Sequence, residues 1–220
     1  MQIVNSPTEQ TTALTDALLA GLALGCVWYL GRLTRRRPWK ANIWSWAMGL
    51  LALAAALGAI VHGVVLPAKL FKFLWNLLYL SLGLTVALFV VGVIHDGWGA
   101  RPARRGLPAM LIVGCAFFGV TLLFPGSFLV FILYEAAAMS FALAAYGWLA
   151  FKRRLRGAGW MAAGILITLI AAGVQASESV SLTFIWPFDY NGLYHLIQMV
   201  GLLALMAGLR ADLQSRPSPE

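Results

Sequence analysis

The 220-residue sequence is poor in charge: Asp, Glu, Lys and Arg make up 11% of it, and only eight residues are acidic. A soluble domain carries about 25% charged residues, so this chain has too few to clothe a water-facing surface. It has two cysteines and three histidines. Cys26 and Cys115 both fall within apolar stretches, in the half expected to face the cytoplasm, and read as buried packing residues, with neither a disulfide nor a metal assigned to them. No lysine lies in the interior of an apolar stretch: Lys40, Lys69, Lys72 and Lys152 all stand at loops or ends. A retinal Schiff base needs such a lysine, so retinal is excluded. No Lys or Arg precedes the first apolar run, so the N-terminus lacks the basic region of a secretory signal and the first helix is expected to stay in the mature protein. There is also no linker, low-complexity tract or convincing internal repeat.

What the chain has in quantity is apolar side chain, 61% of the residues. Crossing about 30 Å of hydrocarbon takes roughly 20 apolar residues in a helix. Seven segments approach that length, at about 13–33, 41–66, 70–95, 108–125, 128–151, 158–175 and 190–211, with ends uncertain by about 2–4 residues. Lys69 and Asp96 bound the third. Pro108 and the Pro125-Gly126 turn bound the fourth, and the basic run from Lys152 ends the fifth. The expected fold is an all-α integral membrane bundle of seven transmembrane helices in a single domain. Small residues such as Gly49, Gly58, Gly83, Ala136, Ala137, Ala138, Gly164 and Gly173 would let its helices approach closely.

The basic residues set an expected orientation. Arg32, Arg35, Arg36, Arg37 and Lys40 lie between the first two helices, Arg101, Arg104 and Arg105 between the third and fourth, and Lys152, Arg153, Arg154 and Arg156 between the fifth and sixth. With Arg210 and Arg216 after the seventh, fourteen of the sixteen Lys and Arg fall on one side, against Lys69 and Lys72 on the other. The positive-inside rule then puts the N-terminus outside and the C-terminus in the cytoplasm. The net charge of +8 is thus a topology signal; it points to membrane lipids as neighbours, not to nucleic acid. Short loops and the lack of organelle targeting suggest a bacterial cytoplasmic membrane. The oligomeric state is not legible.

Polar residues inside a membrane bundle must find partners or line a cavity. At a rise of about 1.5 Å per residue, His62, Asn76, Glu135, Asn191 and His195 all fall in the outer leaflet, with Asp16 and Gln175 near the same level. The cytoplasmic half offers little comparable: His95 and Asp96 stand at the end of the third helix, where they can reach water. Asn191, His195 and Gln198 are spaced i, i+4, i+7 and share one helix face. The aromatic connection from Ser177 to Asp189, with Trp186 and Phe188, suits a cover over the outer mouth. Two histidines at matching depth with a carboxylate nearby have the ligand types of a zinc site that keeps a position open for water, which would then be a hydrolytic nucleophile. The same histidines also suit a bis-imidazole haem, though no second pair is present to relay electrons. A proton-coupled transporter would want ionisable groups in both leaflets, and Glu135 is the only carboxylate well inside.

Seven helices, the string GAIVH ending the second and NGLYH opening the seventh resemble the membrane hydrolase superfamily of alkaline ceramidases and adiponectin/progestin receptors. That family carries Ser-x-x-x-His in its second core helix, Asp in the third and His-x-x-x-His in the seventh, together holding zinc. The resemblance implies His62 and His195 as metal ligands, Glu135 as a further ligand or general base, and Asn76, Asn191 and Gln198 as donors to substrate or metal-bound water. The departures are Gly58 in place of the serine, Asn191 in place of the first histidine of the seventh helix, and Asn76 nearest to the aspartate. Two functions stay open: a zinc-dependent hydrolase of a lipid amide or ester, and a non-catalytic ligand-binding or sensor protein with a degenerate pocket.

Overall fold

The computed structural model describes residues 2–33, 37–124 and 128–215. Among them are seven α-helices, each long and apolar enough to cross a membrane: α1 Pro7–Leu33, α2 Pro38–Gly63, α3 Ala68–Trp98, α4 Ala100–Leu123, α5 Leu129–Phe151, α6 Ala158–Ala176 and α7 Tyr190–Leu213. Arg35, Arg36, the Pro125-Gly126 turn and Arg216 lie outside the described residues.

Two helix starts differ from the hydropathy reading, both because polar first turns hide the beginning of a helix. α1 begins six residues earlier than expected. Ser6-Pro7-Thr8-Glu9 is a capping sequence: proline suits the first helical position, and Ser6 Oγ accepts from the Glu9 N–H at 3.5 Å. α4 begins at Ala100, so its basic first turns are helical and Pro108 lies inside the helix instead of starting it. A single residue, Gly99, separates α3 from α4, and its φ of +93° is one that glycine adopts without strain.

Six helices close a ring in the order α1, α2, α3, α5, α6, α7, with α7 returning to α1. α4 lies outside the ring, packed chiefly on α3 and touching α5 only slightly. It is accordingly the least buried of the seven, whereas α3 is the most buried. Glycines set the close contacts. Gly83 and Gly114 face each other's carbonyl between α3 and α4, and Gly164 and Gly201 do so between α6 and α7; a Cβ on any of these would fall about 3 Å from the facing oxygen. Gly49 and Gly173, expected to serve the same purpose, face open space. Cys26 is buried as expected, but Cys115 is exposed on the outward face of α4.

The ring interior is apolar through its middle, where Trp44, Phe89, Met139, Leu202 and Leu205 belong to one buried cluster. Between α6 and α7 the connection folds into a two-residue antiparallel ladder, Leu182 opposite Phe188 and Thr183 opposite Pro187. Pro187 O accepts from Thr11 Oγ1 at 2.7 Å, tying this hairpin to the first turns of α1. The N-terminal strand is fastened at the same end, where Val4 N–H donates to Gly63 O and Val65 N–H to Gln2 O.

Candidate functional site

The polar residues of the ring divide into three groups along its length. The first is at the end that carries the N-terminus. α1 presents Thr12, Thr15 and Asp16 on its buried stripe, which continues through Leu19, Ala23 and Leu30 at helical spacing. Asp189 caps α7, its carboxylate accepting from Gly192 N–H at 2.9 Å and from Thr12 Oγ1 at 3.0 Å. This cap fixes the start of α7 against α1, so that His195, less than two turns further on, meets the next turn of α1. There His195 Nε2 lies 3.2 Å from Asp16 Oδ1 and its Nδ1 3.1 Å from Thr15 Oγ1. Asp16 and His195 are both buried.

Gly58 of α2 backs this pair. A Cβ there would stand 2.5 Å from Asp16 Oδ2, so the carboxylate fills the space that a side chain on α2 would need. His62, one turn further along α2, pairs with a different carboxylate: its Nδ1 is 2.6 Å from Glu9 Oε2, and its ring stands edge-on to Trp75. Beside these, Gln175 Nε2 donates to Asn191 Oδ1 at 3.2 Å.

The second group surrounds a cavity of about 50 Å³ further into the ring. Glu135 of α5 and Gln198 of α7 line it, together with Thr85, Thr168 and Tyr194. Glu135 Oε2 and Gln198 Oε1 are buried with no hydrogen-bond partner. Tyr194 lies near enough to both Glu135 and Asp16 to feel their charges, and so connects the cavity with the first group.

The third group, at the opposite end, is one that the sequence reading passed over. Lys40 Nζ is 2.5 Å from Asp96 Oδ1 and 2.8 Å from Asp212 Oδ2; Arg37 also reaches Asp212, at 3.0 Å. Tyr146 donates to Asp96 Oδ2 at 2.8 Å, and His95 Nδ1 lies 3.1 Å from Asp96 Oδ1. The side chains of Lys40 and Asp96 are 1% and 2% exposed, so Asp96 does not reach water as expected. Two cations and two anions balance here, joining α2, α3, α5 and α7. The available signal was Asp212 itself: it continues the buried face of α7 that runs through Gln198, Gly201, Leu205 and Leu209.

The sequence of residues 11–214 matches a family of unknown function, DUF6962. The chain belongs to this family. No curated protein and no solved structure matches it, so neither comparison connects this DUF6962 member to the membrane hydrolases that its GAIVH and NGLYH strings resemble.

For the residues singled out from the sequence, the structure brings His195 to Asp16 and Thr15, and Glu135 to the same cavity as Gln198. Asn191 is occupied with Gln175. Asn76 is half-buried and lines no cavity with them. His62 and His195 are near enough to interact electrostatically, yet each closes on its own carboxylate from α1. Among the described residues no three His, Cys, Asp or Glu side chains are arranged to hold a metal, so the zinc set implied by the resemblance does not fit this donor arrangement. Two partners were missed as site residues: Glu9, because α1 was started too late to include it, and Asp16, because its alignment with Thr12 and Thr15 was not used.

Proposed function

We propose that the protein is a multi-pass integral membrane protein of the bacterial cytoplasmic membrane, N-terminus outside and C-terminus in the cytoplasm, that acts as a non-catalytic binding or sensor protein. The carrying observation is the contrast between its two polar levels near the N-terminal end. The histidines that a hydrolytic metal centre would need are each paired with a carboxylate of α1. Two of the buried acceptors without partners, on Glu135 and Gln198, instead face a small cavity. Pockets that take drug-sized ligands run to several hundred Å³, so a cavity of about 50 Å³ suits a small ligand and not a lipid amide or ester.

Metal analysis of folded protein purified without chelator tests this reading. Zinc well below one equivalent is expected. Zinc near one equivalent that is lost in His62→Ala or His195→Ala would overturn the proposal in favour of the hydrolase. Orientation is tested separately in a background with Cys26 and Cys115 replaced by alanine. A cysteine at Asn5 should react with an impermeant maleimide in intact cells, and one at Ser215 only after permeabilisation; the reverse pattern would invert the topology.

A further inference from the structure

Resting on that reading, we infer that the cavity bounded by α2, α3, α5, α6 and α7 is a binding site for a small protonated amine, of ammonium to methylammonium size, with Glu135 as its counter-ion. The two buried charge clusters differ in a telling way. At the Lys40 end each carboxylate has a cation, Asp96 having the Tyr146 phenol as well and Asp212 the Arg37 guanidinium, so nothing further is called for. At the cavity, among the described residues, a carboxylate has been placed with no cation beside it, and its Oε2 makes no hydrogen bond. A buried carboxylate in this condition is costly unless it takes up a proton or gains a positive partner, and a cation that binds beside it would take that proton's place.

The rest of the lining has the same bias. Gln198 presents an unpartnered carbonyl oxygen. Thr85 and Thr168 give their hydroxyl protons to Ser81 O at 2.8 Å and Gly164 O at 3.1 Å on their own helices, which leaves only lone pairs free. The unpartnered oxygens of Glu135 and Gln198, with the lone pairs of these two lining threonines, make the site one of acceptors, and an ammonium group offers up to four N–H donors. The remaining wall is apolar and includes the rings of Phe89 and Phe131. Aromatic faces attract cations, and an apolar wall accommodates a methyl group. Sodium, by contrast, would have to replace its water shell in a site walled largely by carbon. The volume of about 50 Å³ holds only a few waters, which sets the size limit: one methyl group is accepted and a quaternary ammonium is not.

The test is thermal unfolding and titration calorimetry of the full-length protein in lipid nanodiscs with methylammonium chloride, compared at equal ionic strength with sodium chloride and tetramethylammonium chloride. Saturable binding and a rise in midpoint with methylammonium alone are expected, because a ligand selective for the folded state stabilises it. Glu135→Gln, which keeps the shape and removes the charge, should weaken binding by about tenfold or more. Thr168→Val should weaken it by a smaller factor and stands in if Glu135→Gln fails to fold. Asn76→Ala should bind as the parent does. No saturable response in the parent, an equal response to tetramethylammonium or sodium, or unweakened binding in Glu135→Gln would each overturn the inference. Zinc measured on the same sample separates the two failures: zinc-free protein that ignores methylammonium removes the amine site alone, whereas stoichiometric zinc removes the binding-protein reading beneath it.

Discussion

Replacing Lys40 by methionine is expected to lower the stability of the bundle by about 3–5 kcal/mol, the usual cost of removing one partner from a buried ion pair. The reason lies in what would be left behind. Asp96 would keep Tyr146 and His95, and Asp212 would keep Arg37, but the ammonium that bridges the two carboxylates would be gone. Their negative charges would then share one buried site with no ammonium between them. The loss is measurable as a lowered midpoint of unfolding in mild detergent. The double variant Lys40→Met, Asp96→Asn removes one charge of each sign, leaves Arg37 paired with Asp212, and should recover much of that loss, since buried ion pairs can be exchanged for neutral side chains at little cost. A single Lys40→Met variant as stable as the parent would show that the cluster contributes nothing to holding α2, α3 and α7 together.

Gly58→Ser should cost about 1–3 kcal/mol, the range for overpacking a filled interior. It should also displace Asp16 from His195, because even a Cβ at this position lies 2.5 Å from the carboxylate. The decisive measurement is a double-mutant cycle. In an Asp16→Ala background the space is vacant, so the same Gly58→Ser change should cost much less, giving a coupling on the order of 1 kcal/mol or more between residues in contact. Equal costs in both backgrounds would mean that the serine is resisted by something other than Asp16. Glycine at this position leaves room on α2 that a carboxylate from α1 occupies.

In the sequence Gly58 reads only as a small residue that lets helices approach, with nothing to say what approaches it. Its partner is 42 positions away on another helix, and only the packing of α1 on α2 brings the two together. The same holds for His62 and His195. Their equal depth was correctly placed in the same polar region, but depth along a helix axis says nothing about rotation around it. Rotation sends His62 to Glu9 and His195 to Asp16. Asp96 was expected to reach water, and Lys40 was assigned only to a loop or helix end, because position near a helix end was equated with access to water. Burial at an end depends on the neighbouring helices, and here α2, α3, α5 and α7 converge around both side chains.

By itself the sequence determined that seven helices form and roughly where each lies, since apolar length and interrupting polar loops are local properties of the chain. It also marked some of the polar residues that had to be accounted for, Glu135 and His195 among them, because a membrane-length helix leaves them no water. Tertiary structure decided which helices are neighbours, that α4 stands outside the ring, and which acid each histidine meets. It decided too that Lys40 is neutralised while Glu135 is left facing a cavity. These outcomes depend on the azimuth and mutual approach of helices, which are set by close packing between residues far apart in the chain.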